Sequence, residues 1–224
     1  MIQIAIDGPA GAGKSTVARE VARRLGINYL DTGAMYRAMA VAVLRRGIEI
    51  SDHAKVKEAL AGIKITVCYT QQGQRVLANG EDLTDFLRTP EATKGSSDIA
   101  VIPAVRLELV AIQRRVARQY DIVMDGRDIG TYVLPDAKAK FFVVASVKER
   151  ARRRYLELKK NGAERPLEQL EAEIAARDKT DTEREFAPLR QAADAVLVDT
   201  TNMDIDEVVS FVMQKVKEAY PDDL

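Results

Sequence analysis

One cysteine, one histidine and no tryptophan in 224 residues leave little room for several common chemistries. Cys68 alone can neither close a disulfide within the chain nor build a thiolate metal site. By residue type it is expected to be a small, buried core side chain. His53 follows Ser51-Asp52 in a polar stretch and is expected on a surface loop or in a first helical turn. A zincin motif or a Ser-His-Asp hydrolase centred on it is not expected. Seven Tyr and five Phe, with no Trp, make a poor stacking platform for single-stranded nucleic acid. Charge of one sign is also missing: 34 Lys and Arg balance 34 Asp and Glu. A global attraction to DNA or to a membrane is therefore not expected, although a local basic cleft is still allowed. No apolar run approaches the roughly 18 residues that a transmembrane helix needs. The chain opens on Ile2-Gln3-Ile4-Ala5-Ile6 with no basic segment or small-residue cleavage site, so the cytoplasm is the expected location.

What is present is a normal globular composition, 46% hydrophobic and 30% charged. It suits one large domain, or a core with an inserted subdomain. Ile2, Ile4, Ala5 and Ile6 read as a buried parallel strand. Asp7-Gly8-Pro9-Ala10-Gly11-Ala12-Gly13 breaks it, and Lys14-Ser15-Thr16 opens a helix with Val17, Val21 and Leu25 in a stripe and Gly26 at its C-terminal cap. A second helix over about 34–46 carries Met35, Met39, Ala40 and Val43. The alternation of Ile63, Ile65, Val67 and Tyr69 with polar residues marks a half-exposed antiparallel strand. Gln71-Gln72-Gly73 and Asn79-Gly80 are its turns. Short helices follow to about residue 100. This stretch reads as an antiparallel insert over 59–98 in a parallel α/β frame formed by 1–58 and 99–224. The frame resumes with a helix after Pro103 striped by Val105, Leu109, Ile112 and Val116. Strands follow at Ile122–Asp125, Lys140–Val144 and Ala195–Val198. Ser146 and Glu149 form an expected capping box for an arginine-rich helix. A polar break runs through Lys160-Asn161-Gly162, and a charged helix spans about 167–180. The last helix places Ile205, Val208, Val209, Val212 and Val216 on one face. Alternating strands and helices predict a parallel sheet with helices on both faces.

Gly8-Pro9-Ala10-Gly11-Ala12-Gly13-Lys14-Ser15 fits G-x-x-x-x-G-K-[ST] and sits between a predicted strand and a predicted helix. Small residues let successive backbone N–H groups wrap a phosphate, and the helix that begins near Thr16 adds its unpaired N–H groups and positive end. Lys14 is expected to reach the β- and γ-phosphates of a nucleotide, and the Ser15 hydroxyl to ligate Mg²⁺. The pattern defines nucleotide binding without naming a reaction. A regulatory GTPase would carry D-x-x-G and [NT]-K-x-D. Asp125-Gly126-Arg127-Asp128 fails the first pattern, and Asp178-Lys179-Thr180-Asp181 approaches the second but lies in a predicted helix.

Phosphoryl transfer between two phosphates gathers negative charge and needs fixed cations, for which bidentate arginine is suited. Candidates cluster at element ends: Arg37, Arg127, Arg177 and Arg184, and on one helix Arg150, Arg153 and Arg154 with Arg152 beside them. The helix cluster is either a mobile lid that closes over phosphates or a solvated face paired with Glu149 and Glu157.

Gly8–Thr16, Leu30-Asp31-Thr32-Gly33-Ala34-Met35-Tyr36-Arg37, Asp125-Gly126-Arg127-Asp128-Ile129-Gly130-Thr131 and Arg177-Asp178-x-x-Asp181-x-x-Arg184 together resemble the bacterial cytidylate kinases, over essentially the whole chain. The resemblance implies a P-loop kinase core, an antiparallel monophosphate-binding insert and a helical lid near 148–165. It implies transfer of the ATP γ-phosphoryl group to CMP or dCMP with Mg²⁺. Nothing in the sequence demands an oligomer, so a monomer is expected, with neither nucleic acid nor membrane as partner. Carried over by motif, Ser97, Arg106 and Asp128 would recognise cytosine. Gly95-Ser96-Ser97-Asp98 offers two serines for the first of these places. Arg177 and Asp181 would hold the ribose, and Arg37, Arg127 and Arg184 the CMP phosphate. Lys14, Arg127, Arg150, Arg154 and Arg184 would be the catalytic cations, and Asp31 would also touch substrate. Two alternatives stand beside this reading. In a kinase acting on a hydroxyl, Asp31 would supply the carboxylate. The other is a non-catalytic nucleotide-binding switch.

Overall fold

A computed structural model describes residues 1–160 and 162–223; Asn161, within the expected polar break and lid, and Leu224 lie outside the described residues. In chain order the elements begin β1 (Gln3–Asp7), α1 (Lys14–Leu25), β2 (Asn28–Asp31), α2 (Thr32–Leu44) and α3 (His53–Leu60). Next come β3 (Ile65–Thr70), β4 (Gly73–Ala78), β5 (Glu81–Asp82), α4 (Pro90–Ile99) and α5 (Pro103–Ala117). The chain closes with β6 (Ile122–Gly126), β7 (Ala139–Val144), α6 (Val147–Lys160), α7 (Leu167–Glu183), β8 (Val196–Asp199) and α8 (Ile205–Ala219). Two compact units result, Met1–Ile27 with Asp121–Leu224 and Asn28–Tyr120.

In the first unit the strands run β6-β1-β7-β8, all parallel. β1 is central because it is apolar on both faces: Ile4, Ala5 and Ile6 are fully buried. Its register sets Ile6 beside Asp125 on one side and Phe141 on the other. The last β1 residue, Asp7, lies beside Gly126 and Phe142. Helices flank the sheet. α1 buries Val17, Ala18, Val21 and Ala22, and Gly26 ends it in the left-handed conformation. α8 buries Val208, Val209, Val212 and Val216 behind a complete capping box of Asp204 and Glu207. Ile205, expected on that face, is exposed because it occupies the first turn, before the stripe meets the core. The capping box expected at α6 is half made. The Ser146 hydroxyl accepts from Glu149 N at 3.2 Å, but the Glu149 carboxylate turns to Arg152 and Arg153. The Ser146 N–H instead donates to the Thr201 hydroxyl.

In the second unit β3, β4 and β5 form an antiparallel sheet. Asn79 and Gly80 both take positive φ, 52° and 87°, as the tight turn between β4 and β5 requires. Cys68 pairs across from Arg75 and is exposed, not buried. Strand alternation, which places Ile65 inside, outweighs the general preference of cysteine for cores. His53 is the exposed first residue of α3. α2 starts at Thr32, ahead of the expected 34, because the Asp31 carboxylate accepts from Ala34 N at 2.8 Å and caps it.

Gly8 joins β1 to the glycine-rich loop with φ 145°, and a Cβ there would lie 1.9 Å from the Val143 carbonyl oxygen of β7. Gly26 also has positive φ, yet nothing lies within 4 Å of its would-be Cβ. Gly26→Ala should therefore lose only the left-handed penalty, about 1–2 kcal/mol. Gly8→Ala should lose at least about 3 kcal/mol in urea unfolding, because backbone of the central sheet must move. Equal losses would show that β7 does not press on Gly8.

Candidate active site

The glycine-rich loop folds as its sequence predicts, with Gly11 and Gly13 at φ 76° and 91° and Gly13 as the residue before α1. The Gly13 carbonyl accepts from Thr16 and Val17 N–H groups at 3.1 Å, so the helix begins inside the loop. Lys14 is buried, and its ammonium donates to the Pro9 carbonyl at 2.7 Å. Burial, then the neighbouring Arg127 charge, pull the Lys14 pKa down to about 7, against the opposing pull of Asp125, Asp181 and Asp7. The Ser15 hydroxyl donates to Asp125 Oδ2 at 2.7 Å. The first turn of α1 is thus bound to the end of β6, a pairing that no sequence motif announces. Thr16 is exposed at the mouth of the loop.

The turn after β6 carries the next group. Arg127 Nε donates to Asp181 Oδ2 of α7 at 2.7 Å. Asp128 is buried and lies 3.5 Å from Arg184 Nη2, while Arg184 Nε donates to the Ala187 carbonyl at 2.7 Å. Arg184 Nη1 is 3.9 Å from Asp181 Oδ1. Burial would raise the Asp181 carboxyl, yet Arg127, Arg177 and Arg184 hold it below the usual carboxylate range. The structure therefore assembles Arg127, Asp128, Asp181 and Arg184 into one charged cluster, with Arg177 a turn earlier on α7 acting on Asp181 through its charge.

The arginines of α6 separate into two groups. Arg150 is buried; its guanidinium makes a two-pronged pair with Asp178 at 3.0 and 2.6 Å and also donates to the Ala10 carbonyl of the loop at 3.0 Å. Arg153 donates to the Thr200 hydroxyl and carbonyl at 3.2 and 2.7 Å. Thr200 Oγ1 in turn lies 3.2 Å from the Ala12 carbonyl. Arg152 and Arg154 are exposed and pair with Glu149 and Glu157. Arg154 Nη1 turns to Glu157 at 3.0 Å, while Arg150 turns to Asp178 and the loop. The solvated-face alternative describes Arg152 and Arg154, and neither alternative anticipates the two arginines that brace the loop.

In the second unit, Asp31 uses both oxygens locally: Oδ1 caps α2 and Oδ2 accepts from Arg37 Nη2 at 2.8 Å. Gln74 of β4 holds Asp31 in place. Its Oε1 accepts from Asp31 N at 2.7 Å and its Nε2 donates to the Asp31 carbonyl at 3.2 Å, as a neighbouring strand would. Of the two serines in α4, Ser96 donates its hydroxyl to Thr93 at 2.8 Å, while Ser97 is half-buried. Arg106 is 1% exposed, with its guanidinium 5.4 Å from the Tyr36 ring and Nη1 3.3 Å from the Ala100 carbonyl.

Phosphate is the ligand that such a loop and such guanidiniums share, and the fold and site define a phosphotransferase of the P-loop class. The family model described as cytidylate kinase matches residues 4–218. A cytidylate kinase of Geobacillus sp. (strain WCH70) is 50% identical over 97% of this chain and 97% of its own. One from Lactiplantibacillus plantarum is 52% identical over 94% of this chain and 92% of its own. An uncharacterized protein from Eubacterium ventriosum superposes with a TM-score of 0.54 at 12% identity, covering 97% and 99% of the two chains, a likeness of fold. The chain belongs to the cytidylate kinase family.

Two outcomes follow from this geometry. Gln74→Leu keeps the volume but strands the Asp31 N–H and carbonyl, and should cost about 1–2 kcal/mol of thermal or urea stability. Asp181→Asn should cost about 3 kcal/mol at pH 7, because Arg127 is left half-buried without its partner. With its pKa held below the ordinary 3.8, Asp181 contributes stability that is present above that value and lost as pH falls through the folded-state pKa. The gap between wild type and Asp181→Asn, measured by urea unfolding across pH, should therefore close below about pH 4. A gap that is constant down to pH 3 would mean the carboxylate charge is not what stabilises.

Proposed function

We infer that this protein transfers the γ-phosphoryl group of ATP to CMP or dCMP, giving ADP and the nucleoside diphosphate. Membership of the cytidylate kinase family over residues 4–218 carries this reading. The loop Gly8–Thr16 cradles the ATP phosphates and Lys14 supplies a fixed positive charge to the transferred group. Arg37, Arg127 and Arg184 grip the CMP phosphate, and Arg177 and Asp181 take the ribose. Cytosine differs from uracil in carrying an amino donor and a ring-nitrogen acceptor at one edge. Asp128, acceptor-only, and Arg106, donor-only, are matched in hydrogen-bonding type to that edge, and Ser97 is taken as a third cytosine-reading group. Arg150 acts through the loop that it braces at Ala10, and the exposed Arg154 is left to a lid over 148–165. The hydroxyl of Ser15 and the carboxylate of Asp125 are adjacent hard oxygen donors that suit Mg²⁺, which binds through one or two protein oxygens plus phosphates. Bound there, the ion would supply charge neutralisation along the phosphate chain.

The acceptor is already an anion, so no strong general base is required, in keeping with a single, exposed histidine. A hydroxyl kinase using Asp31 as base is disfavoured, since both Asp31 oxygens are engaged with Ala34 and Arg37. This reading calls for no nucleic acid or membrane and requires no second subunit. We accordingly place it in the cytoplasm as a monomer. No described helix is long and apolar enough to cross a membrane.

The test is a coupled ADP-release assay across CMP, dCMP, UMP, AMP and GMP. CMP and dCMP should be the preferred acceptors, with UMP discriminated against by as much as ~10⁴-fold. Asp128→Asn should weaken CMP by about 10-fold or more while sparing ATP, and narrow the CMP/UMP ratio. Equal losses for CMP and UMP would show that Asp128 supports the turn and does not read the base.

A further inference from the structure

Asp7 belongs to none of the roles above, yet it is a carboxylate 4% exposed at the centre of the sheet. Each of its oxygens accepts one backbone N–H: Oδ1 from Ile129 at 2.8 Å and Oδ2 from Gly130 at 2.7 Å. These two N–H groups open a five-residue π-helical turn, Ile129–Val133, a rare conformation whose leading N–H groups need partners from outside it. On the other side, the main chain of Asp7 lies in register with Gly126. Arg127 and Asp128 therefore sit on a two-residue span whose flanks both rest on Asp7, one through the β-ladder and one through its side chain. Asp7 also immediately precedes Gly8, which the Val143 carbonyl confines. An apolar residue would fill the end of a buried strand at far lower desolvation cost, but it could not accept two N–H bonds.

We propose that Asp7 is a positioning residue for the acceptor nucleotide: its carboxylate fixes Ile129 and Gly130 and so sets where Arg127 and Asp128 present their charges, referenced to the first residue of the ATP loop. The proposal rests on the reading of Arg127 and Asp128 as CMP-binding groups. It assigns Asp7 no contact with either nucleotide. A carboxylate is needed because an amide of the same shape accepts with only one atom and turns an N–H toward the other N–H.

The experiment is steady-state kinetics of Asp7→Asn, with KM for CMP and for ATP measured separately and the CMP/UMP ratio alongside. KM for CMP should rise about 10-fold, with KM for ATP changed by no more than about twofold, and the CMP/UMP ratio should fall. A role in fold stability alone would lower the melting temperature without that split. Should Asp7→Asn not fold, Asp7→Glu tests the same contact with the charge kept. The longer side chain displaces both oxygens from the Ile129 and Gly130 N–H groups, and the same CMP-specific rise should appear, about threefold. Equal rises in KM for both nucleotides, or an unchanged KM for CMP in a folded variant, overturn the proposal. A wild type without CMP activity overturns the functional reading and this proposal together, an outcome distinct from an active wild type whose Asp7 variant binds CMP normally.

Discussion

Charge is buried at the C-terminal ends of β1 and β6, and the arrangement of the first unit follows from the need to neutralise it. Asp7, Lys14, Asp125, Asp128, Arg150, Asp181 and Arg184 are all removed from water. Each such group would cost several kcal/mol if unpaired. Here Asp7 is satisfied by two backbone N–H groups, Asp125 by Ser15, Asp178 by Arg150 and Asp181 by Arg127. The partners come from β1, the loop, α1, the turn after β6, α6 and α7. The charge pairing thus joins elements that the hydrophobic core alone would not place so closely. A parallel sheet makes this possible because its loops emerge together beyond one edge of the strands.

The same burial makes the cluster chemically useful. Fixed dipoles and cations in a water-poor setting act on developing charge more strongly than they would in water, and they need no reorganisation during the reaction. Lys14, drawn down to about 7, and Asp7, pushed up to about 7 by burial against the pull of its two N–H donors, both report how strongly the interior opposes isolated charge. An anion brought to the loop adds negative charge beside Lys14, which favours its protonated form. Arg150 and Arg153 contribute differently, by holding the carbonyls of the loop and the segment after β8 in place.

Much of this arrangement is legible in the amino-acid sequence itself. The strand Ile2–Ile6, the glycine loop, the helix after Pro103 and the Asn79-Gly80 turn all follow from short-range rules, since the residues that decide them lie within a few positions of each other. The loop motif carries its own context, strand then helix. What is not legible depends on partners distant in sequence. Asp7 meets residues 122 and 123 positions away, Ser15 meets Asp125 at 110, and Gln74 meets Asp31 at 43. No periodicity announces such pairs. Arg150 and Arg154 look alike in sequence because four residues on a helix is one shared face; which of them turns inward is decided by Asp178 and Ala10, on other elements. Cys68 departs from expectation for a different reason, since the alternation of its own strand overrides a preference of its residue type.

The order in which the strands are joined has a consequence during synthesis. β1 leaves the ribosome well before both of its sheet neighbours, β6 and β7, which lie beyond the whole Asn28–Tyr120 unit. At about 5–20 residues per second, its apolar edges wait for about 6 to 24 seconds before the first partner is made. The intervening unit draws its antiparallel pairs from adjacent segments and can form during that interval. Until β6 follows, the nascent chain carries an unpaired Ile-rich strand whose edges are open to chaperone capture or to pairing with other nascent chains.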